Sequence, residues 1–242
     1  MGSLLYYFAA ILFTAVYFVL IFVIFLLTVA FDRERVVLHY ASALWARALF
    51  GLNPCWKMRV EGRENIVRGQ SYVVVNNHQS MFDIPLMYVL PLTFKWVAKK
   101  EVLNWPIFGL VMRMHGDIAI ERGTGAAARK MIAKGCKRLK AGTSVIVFPE
   151  GTRSRDGRVG RFREGAFVLA KAAGAAVLPC AIEGTGSAIS GRKVRTPHTF
   201  TVRILPPIPA AEVEKLTAKE LADRTHDAIL KEHKELRKEL YQ

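Results

Sequence analysis

From Leu4 to Phe31 the chain reads LLYYFAAILFTAVYFVLIFVIFLLTVAF, without one charged side chain. No other feature restricts the fold as strongly. As a helix rising 1.5 Å per residue this stretch reaches about 40 Å, more than the ~30 Å hydrocarbon core of a bilayer. A cleaved signal peptide fits poorly, because no basic residue precedes the segment and its apolar run far exceeds the usual ~7–15 residues. A soluble helix apolar on every side would need a much larger core around it. The basic residues Arg33, Arg35, Arg47, Lys57 and Arg59 all follow the segment, so the positive-inside rule places the downstream chain on the cytoplasmic side. Hydropathy alone leaves open a full crossing or re-entry into one leaflet.

Residues 36–50, VVLHYASALWARALF, read as a second helix. Val36, Val37, Tyr40, Leu44, Ala48 and Leu49 form its expected apolar face, and Trp45 suits the headgroup level. Gly51, Asn53 and Pro54 end it. Residues 1–54 are therefore expected to be a membrane-anchoring helix pair, and residues 55–242 a separate folded domain.

The remainder is basic yet not hydrophilic. The chain of 242 residues carries 35 Lys+Arg against 20 Asp+Glu, a net charge of +15, while 52% of its residues are hydrophobic. Apolar content this high excludes disorder. The basic runs lack interleaved aromatics and any recognised readout motif, which weighs against a membrane-tethered nucleic-acid binder. Cys55, Cys136 and Cys180 are widely spaced, so neither a disulfide framework nor a zinc site is indicated, and a reducing compartment follows.

Downstream of Pro54, strand-like and helix-like pieces alternate. Lys57–Glu61, Tyr72–Val75, Phe94–Ala98, Ile118–Ile120, Ser144–Phe148, Ala176–Ile182 and Phe200–Leu205 read as strands. Ile84–Val89, Gly125–Leu139, Glu164–Ala173 and a long polar stretch from about Ala211 to Leu240 read as helices, the last as a solvated one. The pattern predicts an α/β domain with a mixed, mostly parallel sheet flanked by helices. In the helix over 125–139, Arg129, Lys130, Lys134, Lys137 and Arg138 form an ordinary solvated face or an attraction to anionic lipid.

Polar residues gather where buried strands end, which is where α/β proteins bind ligands. Tyr72–Val75 runs into Asn76-Asn77-His78-Gln79-Ser80-Met81-Phe82-Asp83. In a continuous helix His78 and Asp83 would lie ~140° apart. A turn between them, with a helix starting near Asp83 and Pro85, lets the carboxylate fold back onto the imidazole. Asp83 then holds one ring nitrogen and leaves the other as a general base. Ser80-x-x-Asp83 equally satisfies a capping box, which would make Asp83 structural. Ser144–Phe148 leads into Pro149-Glu150-Gly151-Thr152-Arg153-Ser154. Gly151 permits positive φ, Arg153 presents a planar fork to a phosphate, and Glu150 can accept from a hydroxyl or hold Arg153. A third strand, Gly116-Asp117-Ile118-Ala119-Ile120-Glu121-Arg122, delivers another arginine.

These blocks resemble the 1-acylglycerol-3-phosphate O-acyltransferase (lysophosphatidic acid acyltransferase) family. The resemblance rests on Asn77-His78-x4-Asp83, Gly116-x-Ile118-x-Ile120-x-Arg122, Phe148-Pro149-Glu150-Gly151-Thr152-Arg153-Ser154 and Val177-x-Pro179. With the lead-in Arg59-Val60-Glu61-Gly62 it covers roughly residues 57–205. It implies His78 and Asp83 as a catalytic dyad, and Arg122, Glu150, Gly151 and Arg153 as acceptor-binding residues. Lys99 matches a position that meets the acceptor phosphate. It further implies no metal or organic cofactor, acyl-CoA or acyl carrier protein as donor, and lysophosphatidic acid as acceptor. Phosphatidic acid would form at a membrane, such as a bacterial inner membrane. A lyso-ornithine lipid or glycerol 3-phosphate is the alternative acceptor. Ala119 and Gly123 depart from the pattern, which bears on acceptor and acyl-chain preference. The run Arg155, Arg158, Arg161, Arg163 would face an anionic membrane or an acidic acyl carrier.

Overall fold

The computed structural model describes residues 2–121 and 124–242. Two helices, α1 (Ser3–Thr28) and α2 (Val36–Gly51), precede the domain. The domain then runs through β1 (Trp56–Glu61), β2 (Tyr72–Asn76), α3 (Asp83–Met87), β3 (Phe94–Lys99), α4 (Phe108–His115) and β4 (Ile118–Ile120). There follow α5 (Gly125–Lys140), β5 (Ser144–Val147), α6 (Gly165–Ala173), β6 (Ala176–Glu183), the short β7 (Ile189–Ser190) and β8 (Lys193–Val194), β9 (His198–Ile204), α7 (Ala210–Lys215) and α8 (Ala218–Leu236). A seven-stranded sheet has the order β1-β9-β6-β2-β5-β3-β4, in which only the β6–β9 pair is antiparallel.

β2 lies at the centre because every residue from Tyr72 to Val75 is apolar and fully buried. Its alternating side chains feed two separate cores. Tyr72 and Val74 pack with Leu86, Phe94, Trp96 and Phe200 beneath α1, α2 and α3. Val73 and Val75 pack with Met131, Phe167 and Ile229 beneath α5, α6 and α8. The sheet is thus covered on both faces, as parallel strands require.

The N-terminal helix is long and apolar enough to cross a membrane, with a mean hydropathy of 3.0. Leu4, Phe8, Ile11 and Leu27 are each more than 60% exposed along it. Both of its ends nonetheless touch the domain. Near the start, Ser3 Oγ accepts from the Val194 amide at 3.0 Å, and the buried Tyr6 ring lies 4.8 Å from Trp56. Near the end, Ile21 and Leu38 pack with Met114, and Glu34 in the following turn pairs with Arg138 at 2.8 Å.

The structure shows which side of α2 meets the domain, and it changes two expectations about the C-terminal helix. The stripe Val36, Val37, Tyr40, Leu44 of α2 faces outward; Leu38, Ala41, Ser42, Ala46, Leu49 and Phe50 form the buried face. Both faces of this helix are apolar, and of the expected stripe only Leu49 turns to the domain. Trp45 is half-buried, its indole N–H donating to Thr14 Oγ1 at 3.4 Å. The expected helix over 211–240 is two helices. Thr217 stops the first and caps the second in a reciprocal box with Glu220 (Glu220 amide to Thr217 Oγ1 3.2 Å, Thr217 amide to Glu220 Oε2 2.7 Å). Nor is α8 merely solvated, since Leu221, Ala222, Thr225, Ile229 and His233 are buried.

Candidate active site

β2, β5 and β3 are adjacent and parallel, so the residues that follow them emerge at one edge of the sheet. His78 follows β2, Glu150, Gly151 and Arg153 follow β5, and Lys99 ends β3. Arg122, beyond β4, lies outside the described residues.

The loop after β2 turns back on itself. His78 Nδ1 lies 2.6 Å from Asp83 Oδ2, and the same oxygen accepts the amides of Gln79 at 2.7 Å and Ser80 at 2.9 Å. Asp83 is fully buried, whereas the His78 side chain keeps 14% of its surface. A buried carboxylate held by two amides and an imidazole is fixed in place, and its bond to Nδ1 leaves Nε2 as the basic nitrogen. The reciprocal capping box does not form: Asp83 Oδ2 accepts the Ser80 amide, but Ser80 Oγ accepts the Phe82 amide at 3.3 Å and the Asp83 amide goes to the Ser80 carbonyl at 3.2 Å. The imidazole stacks on Phe148, centroid to centroid 3.8 Å at 18°, and Phe148 stacks in turn on Trp96 at 5.5 Å and 12°. Nothing in the spacing of the sequence marked these two rings.

The loop after β5 is bound to the first one. Glu150, 8% exposed, accepts the His78 amide on Oε1 at 2.9 Å and the Gly160 amide on Oε2 at 3.1 Å. A Cβ on Gly160 would lie 2.8 Å from that oxygen, so only glycine allows the approach. Burial pushes the Glu150 carboxyl up to about 7, against the lowering pull of the two amides. The Ser154 amide donates to the His78 carbonyl at 2.8 Å. Gly151 adopts φ 73°, the left-handed region, which turns the chain sharply between Glu150 and Arg153. Arg153 is exposed and has no ion-pair partner among the described residues.

The dyad opens on a cleft of about 510 Å³ between the N-terminal helices and this edge. Its walls are chiefly apolar: Leu49, Phe82, Trp96, Phe148, and from the segment around α4 Trp105, Phe108 and Met112. Lys99, Thr152 and Arg153 supply its polar rim. A smaller cleft of about 220 Å³, lined by Glu121, Thr124 and Arg163, shares Lys99, Phe148 and Gly151 with it. Among the described residues no group of three or more His, Cys, Asp or Glu side chains is gathered as a metal site requires. The aromatic wall around α4 escaped sequence reading, since that helix has only eight residues. Exposed Trp105, Ile107 and Phe108 were the signal that marks it.

Known proteins resemble this chain in sequence and fold. The chain is 38% identical over 149 residues to a chloroplast 1-acyl-sn-glycerol-3-phosphate acyltransferase of Arabidopsis thaliana, covering 61% of this chain and 41% of that protein. It is 34% identical to the protein of that name from Chlamydomonas reinhardtii, over 84% of this chain and 60% of the other. The plant and algal relatives are therefore longer, the chain matching only about half of their length. The human alpha form of the same name is 33% identical over 80% of this chain and 68% of its own. The crystal structure of the 1-acyl-sn-glycerophosphate (LPA) acyltransferase PlsC from Thermotoga maritima superposes with a TM-score of 0.77 at 29% identity, covering 97% of this chain and 94% of that one. Because the Acyltransferase family profile matches residues 57–183, more than half of the sequence, and a human relative at 33% identity aligns with 80% of it, the chain belongs to the acyltransferase family.

Proposed function

We propose that this protein transfers an acyl group from a thioester donor, acyl-CoA or acyl carrier protein, to the free sn-2 hydroxyl of 1-acyl-glycerol-3-phosphate. The observation that carries the proposal is the His78–Asp83 contact at 2.6 Å at the mouth of an apolar cleft rimmed by Lys99 and Arg153. An acyl chain needs the apolar wall, a phosphate needs the cations, and the transfer needs a base between them. The names of the relatives support the same acceptor.

In this mechanism His78 Nε2 takes the proton of the acceptor hydroxyl as its oxygen attacks the thioester carbonyl. Asp83 keeps the other ring nitrogen protonated and stabilises the imidazolium that forms. Collapse of the tetrahedral adduct breaks the C–S bond, and the thiolate takes the proton back from the imidazolium. The acyl group passes in one displacement, with no acyl-enzyme. Lys99 and Arg153 bind the acceptor phosphate, Arg153 by a bidentate fork. Glu150 acts beneath the site by fixing the His78 amide, and Gly151 by aiming Arg153.

The membrane belongs to the same reading. Because both ends of α1 are fastened to the domain, the helix lies along one leaflet on the cytoplasmic face, with its exposed apolar side in lipid. Transfer of a radiolabelled acyl group from palmitoyl-CoA to lysophosphatidic acid in mixed micelles, with glycerol 3-phosphate and a lyso-ornithine lipid as rival acceptors, tests the proposal. Preference for either rival would overturn the acceptor assignment.

A further inference from the structure

A second buried polar chain links the loop of the base to the segment after α8. Gln79, next to His78, is 7% exposed. Its side-chain nitrogen lies 2.9 Å from Glu183 Oε2, 3.2 Å from the Gly157 carbonyl and 2.7 Å from His233 Nε2. His233, buried on α8, meets Glu183 Oε2 at 2.8 Å through Nε2 and the Tyr241 hydroxyl at 2.8 Å through Nδ1. Tyr241 in turn accepts the Val159 amide at 3.2 Å.

In one assignment of protons Gln79 and His233 are joined through Glu183 Oε2 and not to each other, since both nitrogens then donate. The two Gln79 amide protons go to Glu183 and the Gly157 carbonyl. His233 donates from Nε2 to Glu183 and accepts the Tyr241 hydroxyl at Nδ1, and the phenol oxygen accepts from Val159. Gly157 and Val159 both lie in the loop that carries Glu150 and Arg153. That loop is otherwise held by Ser154 to the His78 carbonyl and by Gly160 to Glu150.

We propose that Tyr241 and His233 are positioning residues for the acceptor, holding the 151–163 loop, and with it Arg153, at a fixed distance from His78. The inference rests on the function proposed above. Loosening the loop would move the phosphate-binding cation while leaving the apolar cleft and the dyad in place. The acceptor KM should therefore change and the donor KM should not.

Tyr241→Phe tests this, because it keeps the ring against His233 and Arg158 and removes only the oxygen. We expect the KM for lysophosphatidic acid to rise roughly fivefold, the scale of one lost hydrogen bond. kcat should stay within about twofold, the donor KM should be nearly unchanged, Tm should fall modestly because His233 Nδ1 and the Val159 amide lose their partner, and amide exchange at residues 157–160 should quicken. An unchanged acceptor KM overturns the inference, even with faster exchange. So does an equal rise in both KM values, which would mark a structural role alone. Wild-type protein inactive on lysophosphatidic acid would instead overturn the function itself, so the two failures are distinguishable.

Discussion

The loops that follow β2 and β5 leave the same sheet edge from neighbouring strands, yet they treat their polar groups in opposite ways. In the first, the carboxylate is buried and three donors converge on one oxygen of Asp83. In the second, the buried carboxylate of Glu150 accepts only backbone amides, while Arg153 stays exposed. A base must be held rigidly before substrate arrives, because its proton transfer depends on geometry of a few tenths of an ångström. A phosphate-binding cation must keep its donors free, because a partner within the protein would have to be displaced. Under the proposed mechanism, the two loops separate orientation from recognition.

Asp83→Ala should break the comparison most severely. It removes the orienter of His78 and strands the amides of Gln79 and Ser80, at about 1–3 kcal/mol for each buried donor. Both activity and Tm should fall. His78→Ala should cost roughly 10²–10⁴-fold in kcat while Tm changes little, since the imidazole is partly exposed. Activity undiminished in that variant would refute the mechanism. Arg153→Gln should raise the KM for the acceptor by roughly 10–100-fold, the scale of a charge-assisted pair, with the donor KM unaffected. A rise in the donor KM instead would assign Arg153 to the carrier.

Glu150→Gln is the subtlest change and reads out through pH. The folded carboxyl sits at about 7 against an ordinary 4.5, so the native state holds its proton more tightly than the unfolded chain. The stabilising contribution is therefore complete below about 4.5 and is lost as pH rises through about 7. In the variant the slope of Tm against pH across that window should flatten. An unaltered slope would mean that Glu150 does not titrate there.

Much of this site was legible because its chemistry is local. His78 and Asp83 lie five residues apart, and the turn that joins them needs only α3 to begin at Asp83. Buried strands such as Tyr72–Val75 and Ser144–Val147 declare themselves by unbroken β-branched runs. α2 was less legible for an equally physical reason: with apolar residues on both sides, periodicity does not say which face meets the domain. In α8 the charged residues dominated the reading, although Leu221 and Ile229 mark the face it buries. Arg122 matches a family position but lies outside the described residues.

The uncharged run that opens the chain required an apolar surrounding for α1 before any fold was known, since a domain of this size has no core large enough to enclose 28 such residues. Equally, the order of strand-ending blocks was enough to bring His78 and Asp83 forward as a pair, and the fold places them in contact. Whether α1 stood apart from the domain or lay against it was decided only by contacts distant in sequence, Ser3 with Val194 and Glu34 with Arg138. The same holds for the apolar cleft, whose walls come from α1, α2, α3, α4, β3 and the loops after β2 and β5. It holds too for the link from Gln79 through Glu183 and His233 to Tyr241, which spans more than 150 residues of chain. Local sequence sets conformations and chemical types, whereas burial and hydrogen bonding between remote segments exist only once the chain has closed on itself.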